Sequence, residues 1–135
     1  MIMSLALPLD PNEKITPHFT RQELECKCGC GLLPSLFTAK KLERARLEGG
    51  GLPITLSSGA RCRLHNMAEG GSPVSLHMYG LAADVIGWGD LKASTRAGKE
   101  AIMNLFNKIG FHVLDSGGCV HVDCRPWIPE VLKVR

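Results

Sequence analysis

Three side chains in this sequence could work together as a metal site. His77 lies in Ser75-Leu76-His77-Met78-Tyr79-Gly80, Asp84 follows seven residues later, and His121 sits in Val120-His121-Val122-Asp123. Two imidazoles and one carboxylate suit zinc and leave a fourth position open, the arrangement of catalytic rather than structural zinc. An ion held that way acidifies water and polarises a carbonyl oxygen, which are the two requirements of amide hydrolysis. Two histidines and an aspartate also arise together by chance, so spacing alone does not settle the matter. Asp84 is the sharper signal. It interrupts the apolar run Leu81-Ala82-Ala83-Asp84-Val85-Ile86, where a carboxylate is costly to bury unless it is paired or metal-bound.

Such side chains need elements to position them. Thr20-Arg21-Gln22-Glu23 is a capping-box pattern that opens a short helix. It runs into Cys26-Lys27-Cys28-Gly29-Cys30-Gly31, which reads as a loop. Leu36, Ala39, Leu42 and Ala45 recur at helical spacing, predicting a helix over residues 34–48 that Gly49-Gly50-Gly51 stops. Residues 53–58 alternate as a strand, residues 63–69 suit one or two helical turns, and the mostly apolar run 81–88 suits a buried strand. A third helix is expected over 94–108, ended by Gly110. Residues 111–114 and 119–124 then pair as a hairpin across Ser116-Gly117-Gly118. Helices and strands do not alternate in strict βαβ order. The expected fold class is therefore α+β, a small antiparallel sheet with helices packed on it.

Length and composition bound the rest. The chain has 135 residues, 44% of them hydrophobic and 21% charged, which gives one globular domain rather than a disordered chain. Residues 1–18 read as an extended N-terminal segment of that domain. No run of eighteen apolar residues offers a membrane span. A net charge of +3 is too small and too evenly spread to argue for nucleic acid. Residues 1–10 are apolar but lack a cationic start and a cleavage site, so no signal peptide is read and synthesis in the cytoplasm is expected. Fifteen glycines and eight prolines predict many loops, where chemistry tends to sit.

Ser58-Gly59-Ala60-Arg61, His65-Asn66, Gly70-Gly71, Ser75-x-His77-x-x-Gly80-x-Ala82-x-Asp84 and Val120-His121-Val122-Asp123 occur in this order. Together they resemble the zinc D-Ala-D-Ala carboxypeptidases of the hedgehog/DD-peptidase superfamily. The opening Phe19-Thr20-x-x-Glu23-x-x-Cys26-Lys27-Cys28-Gly29-Cys30-Gly31 is similar to the start of short phage-type members. The likeness covers about residues 19 to 125. It implies that His77, Asp84 and His121 are zinc ligands. It also implies that Arg61, with its planar and always charged donor fork, holds a substrate carboxylate or the developing oxyanion.

Relatives place a general base a few residues before the last zinc histidine. The E-x-x-H form is absent because Gly118 stands three before His121, so Asp115 is the expected base. Asp123 is its competitor, or else orients a ligand histidine. Asp115 also suits a turn former before Ser116-Gly117-Gly118. Ser75 is expected near the metal loop, with Tyr79 and Trp127 as walls of the substrate cleft, though core packing would explain all three. His65 follows the arginine motif, while His18 and His112 read as structural or exposed.

What the resemblance implies is a zinc metallopeptidase acting on the peptide part of bacterial peptidoglycan, of D-Ala-D-Ala carboxypeptidase type. An L-Ala-D-Glu endopeptidase, a non-catalytic zinc domain and a binding module are the alternatives. The implied partner is the stem peptide, with no nucleic acid or membrane, and the chain is expected to act as a monomer on the cell wall, in the manner of a prophage product. The six cysteines fit less simply. Cys26-x-Cys28-x-Cys30 lacks the two-residue gap of a zinc knuckle. All six are therefore expected as small buried hydrophobes, a structural metal shared with Cys62 being the alternative. Cys119, two residues before His121 on one strand face, would bring a thiol close to the metal.

Overall fold

The computed structural model describes residues 10–129. The first nine residues of the expected extended segment lie outside that range, and the remainder of the segment is not simply extended. Lys14–Thr16 (β1) pairs antiparallel with Phe19–Thr20 (β2) as a two-stranded sheet that buries Thr16 and Phe19. The capping box at Thr20 forms, its backbone N–H donating to the Glu23 carboxylate at 2.9 Å. It opens only one turn, Arg21–Leu24 (α1), which buries Leu24. The cysteine-rich loop follows.

The second helix, Leu36–Glu48 (α2), starts where Ser35 accepts the Thr38 N–H, one residue after Pro34. Ala39, Leu42 and Ala45 face inward as their spacing predicts. After Ile54–Ser58 (β3) come Arg63–Ala68 (α3) and a 3-10 turn, Leu76–Tyr79. Then follow Ala82–Trp88 (β4), Leu91–Lys92 (β5) and Arg96–Ile109 (α4), the last capped by Thr95, whose hydroxyl accepts the Gly98 N–H. His112–Ser116 (β6), Cys119–Asp123 (β7) and a 3-10 turn at Arg125–Trp127 complete the described chain. β6 reaches Ser116, two residues beyond the expected end. The connection shrinks to Gly117-Gly118, with Gly117 at a φ of 76° that a side chain would resist.

The main sheet runs β3-β4-β7-β6, with β5 paired to the end of β4, and every pairing is antiparallel. The expected α+β class is the observed one. Strand alternation divides the residues of the two central strands between opposite faces. Ala83, Val85, Val120 and Val122 point into a core shared with Ile102, Phe106 and Ile109 of α4 and Leu42 of α2. Each large apolar side chain buried there contributes roughly 1.5–3 kcal/mol. Asp84 and His121 point to the other face.

Candidate metal centre

Sheet register assembles the centre. Asp84 and His121 are direct cross-strand partners, and the same row continues to Ser58 on one side and Leu114 on the other. Partners in an antiparallel pair share a face, so a carboxylate and an imidazole 37 positions apart in sequence are brought together by backbone hydrogen bonds alone. His77 arrives from the 3-10 turn. Its backbone N–H donates to Ser75 Oγ at 3.2 Å, and its carbonyl accepts the Arg61 N–H at 3.0 Å.

One ring nitrogen of each histidine is already committed. Nδ1 of His77 lies 2.8 Å from the Gly59 carbonyl, which can only accept, so Nδ1 carries the proton and Nε2 is left as a donor atom. Nε2 of His121 lies 2.8 Å from Asp123 Oδ2, leaving Nδ1. The two remaining nitrogens face the same oxygen: Asp84 Oδ1 is 3.3 Å from His77 Nε2 and 3.4 Å from His121 Nδ1. Good charge-assisted hydrogen bonds are shorter, about 2.7–2.9 Å. Donors sharing a tetrahedral zinc ion at about 2.0–2.1 Å are separated by about 3.3–3.4 Å. Chemistry, tautomers and spacing of this donor set therefore fit zinc.

Charge on the three groups is strongly coupled. Burial pushes the Asp84 carboxyl up, but hydrogen bonds from His121 and His77 outweigh it and hold Asp84 well below the usual carboxylate range. Burial pulls the His121 imidazole down, while Asp123 and Asp84 together lift it to about 9. Asp123 is fully buried, which alone would raise its carboxyl; His121 and Arg125 lower it to about 2. A cation-binding pocket with pre-formed negative charge is the result.

The centre opens into a groove of about 390 Å³ lined by Arg61, Ser72, Ser75, His77, Asp84, His121 and Arg125, among others. Arg61 is fixed on three sides. One terminal nitrogen donates to Asn66 Oδ1 at 3.1 Å; the other lies 3.3 Å from Ser58 Oγ and 3.6 Å from Asp84 Oδ2. Asn66, itself buried, ties that clamp to the following loop by donating to the Ser72 carbonyl at 2.8 Å. Gly71 is needed beside it, since a Cβ there would come within 2.1 Å of Asn66 Oδ1.

Several expected site residues lie elsewhere. Asp115 pairs with Val120, not with His121, and so projects from the opposite face of the sheet. There it bonds Lys99 of α4 at 2.7 Å. That bond, with the Gly117 N–H, holds its carboxyl below the ordinary value, the wrong direction for a base. Asp115 is thus not positioned to take a proton in this groove. Asp123 does share the His121 face, but it is locked between His121 and Arg125.

Trp127 is not a cleft wall either. It packs edge-on against Phe37 and Phe111 with Lys41 over its ring, because the 3-10 turn after β7 swings it onto α2. Tyr79 lines a neighbouring cavity of about 680 Å³ with Asn66, Met67 and Met78, outside the metal groove. Ser75 lines the groove as expected. Cys119 is on the groove side but does not join the three ligand atoms. His18 is structural, bound to Glu43 at 2.5 Å.

Three groups with roles at the site were not singled out from sequence: the Gly59 carbonyl, Asn66 and Arg125. Gly59 and Asn66 lay inside recognised motifs, while Arg125 directly follows the last strand.

Two imidazoles and one carboxylate with an open face, set across the central strands of an antiparallel sheet, could hold a single metal ion. The chain belongs to the Peptidase M15 family, whose pattern matches residues 17–123 and so spans His77, Asp84, His121, Arg61 and the main sheet. Members are zinc-dependent metallopeptidases, and the donor set here suits that ion. No curated protein matches the chain. Among the described residues no helix is long and apolar enough to cross a membrane.

Proposed function

We propose that this metallopeptidase hydrolyses the stem peptides of bacterial peptidoglycan, as a D-Ala-D-Ala carboxypeptidase. The observation that carries this reading is the convergence of His77 Nε2, His121 Nδ1 and Asp84 Oδ1 at zinc spacing, beside a half-buried arginine held open to a groove. Zinc, when bound, supplies Lewis-acid activation of water and of the scissile carbonyl. The chain does the rest. Gly59 and Asp123 fix the two imidazoles in the tautomers that leave the correct nitrogens as donors. Arg61, clamped by Asn66 and Ser58, presents donors to the terminal carboxylate of a stem peptide or to the oxyanion that forms on its carbonyl. Arg125 adds a second cation at the same groove. The hydroxyls of Ser72 and Ser75, which line the groove, would meet the peptide backbone. Two cations beside one metal suit a peptide rich in carboxylates, and one copy of the chain supplies the whole described groove.

The deciding experiment is mass spectrometry of muropeptides after incubation with the zinc-loaded protein. Loss of a single terminal alanine supports the carboxypeptidase reading. A cut between the first two stem residues replaces it with the endopeptidase alternative. Zinc bound at full occupancy with every muropeptide intact would leave a non-catalytic metal domain.

A further inference from the structure

Four thiols converge away from the groove, and nothing in the proposed hydrolysis uses them. The Sγ atoms of Cys26, Cys28, Cys30 and Cys62 all lie within 4.8 Å of one another, and none is in a disulfide. Cys28 Sγ is 3.5 Å from Cys26 Sγ and 3.6 Å from Cys62 Sγ. Core packing does not explain the cluster, because Cys28 and Cys30 are exposed, contrary to the expectation that all six cysteines are small buried hydrophobes. Disulfide bonding does not explain it either, since a bridge requires sulfurs at about 2.0 Å. Tetrahedral zinc thiolates, with bonds of about 2.3 Å, hold their sulfurs about 3.8 Å apart.

We propose that Cys26, Cys28, Cys30 and Cys62 together bind one structural zinc ion. Four thiolates fill the tetrahedron and leave no open position, so this site holds the fold rather than performing chemistry. Each thiol gives its proton to solvent as its S–Zn bond forms. The loop is shaped for it. Gly29 and Gly31 follow Cys28 and Cys30 at φ of 86° and 85°, in the left-handed region. The Cys26 N–H donates to the Leu32 carbonyl at 2.8 Å, and its carbonyl accepts the Gly29 N–H, so the turn closes around the first thiol. Backbone amides also point at sulfur: the Cys62 N–H donates to Cys26 Sγ at 3.3 Å, and the His65 N–H to Cys62 Sγ at 3.4 Å. Such bonds favour the charged form of the ligand.

The fourth ligand gives the site its purpose. Cys62 adjoins Arg61 and caps α3, the helix that carries Asn66. An ion at the thiols therefore ties the loop after α1 to the segment that aims the groove arginine, with no contribution to the histidine–aspartate centre itself.

Metal analysis of the reduced full-length chain tests this. About two zinc ions per chain are expected, falling to about one in His77→Ala and to about one in the double variant Cys28→Ser/Cys62→Ser. Cobalt(II) loaded into His77→Ala should show thiolate-to-cobalt charge-transfer absorption, which the histidine–aspartate centre cannot produce because it contains no sulfur. Cys62→His should keep the second ion, since imidazole also binds zinc. Sulfur-free cobalt in His77→Ala, no metal in that variant, or iron in place of zinc would each overturn the assignment. The spectrum of His77→Ala decides even where the double variant fails to fold. Muropeptide cleavage is not part of this readout, so either proposal can fail without the other.

Discussion

Asp84 and His121 face each other in the middle of the sheet, on strands bonded to neighbours on both sides. Three of the four clustered thiols instead sit on the loop between α1 and α2, two of them exposed. The difference lies in what holds the donors still. In the first cluster, strand register, the Gly59 carbonyl and the Asp123 carboxylate fix each donor before any ion arrives. In the second, a few turn hydrogen bonds hold the loop, and the ion itself supplies most of the cross-links. A preorganised centre keeps its shape when empty and can leave one position for substrate. A loop-borne centre spends all its ligands on closure.

The strongest attack on that contrast is His77→Ala. Turnover of muropeptides should fall to background with loss of the groove ion. Hydrogen exchange in β4 and β7 should stay as slow as in the parent, because their protection comes from the sheet and core. Fast exchange across those strands in the variant would show that the ion, not the register, organises the centre. Chelation of the parent protein should do the reverse to the cysteine loop, raising exchange over residues 25–31 while β4 and β7 stay protected.

Arg61→Lys comes next in size. A lysine keeps the charge but not the planar fork that Asn66 and Ser58 hold in place. The expected loss is about 10²–10³ in kcat/KM, with zinc content unchanged. Loss of zinc along with activity would make Arg61 part of the metal's support and not of substrate binding.

Asp123→Asn probes the support beneath His121. It keeps the volume of a fully buried side chain but weakens the hydrogen bond to Nε2 and leaves Arg125 without its charge partner. Zinc affinity or activity should drop about 10–100-fold. The parent imidazole, held up to about 9 without metal, must release its proton on binding zinc at neutral pH. The variant's imidazole titrates lower, so calorimetry in buffers of different ionisation enthalpy should record fewer protons released. An unchanged proton count would remove Asp123 as the group that sets the His121 charge.

Some of this was legible in the sequence and some was not, for definable reasons. Periodicity located α2, β4, α4 and the terminal hairpin because each has its own run of apolar residues at the right spacing. Asp84 was legible because a carboxylate inside an apolar strand needs a partner. Trp127 was misplaced because nothing local says where a turn after the last strand will swing. The thiol tetrad was only half visible. Three cysteines alternate along one loop and Cys62 was open as their fourth partner, but its arrival depends on the segment after β3 bonding to the end of α1, where the Ala60 N–H donates to the Leu24 carbonyl at 2.9 Å, and no local pattern encodes that. Asn66 and the Gly59 carbonyl escaped because their roles are to hold other groups, which residue type alone does not announce.

Asp115 carries the smallest expected effect and the clearest lesson about faces. Counting six residues back from His121 makes it look adjacent, but the register across the two-residue Gly117-Gly118 turn pairs His121 with Leu114 and sends Asp115 to the α4 side. There it meets Lys99 at the surface, where such pairs contribute little to stability. Asp115→Asn should therefore keep the parent's zinc content and its muropeptide turnover, with a pH–rate profile that superimposes on the parent's. A large fall in kcat with zinc retained would mean that the β6–β7 turn rearranges to bring this carboxylate over the sheet edge during turnover. The contrast between a fixed, sheet-borne centre and a loop-borne one would then have to include the hairpin tip among the parts that move.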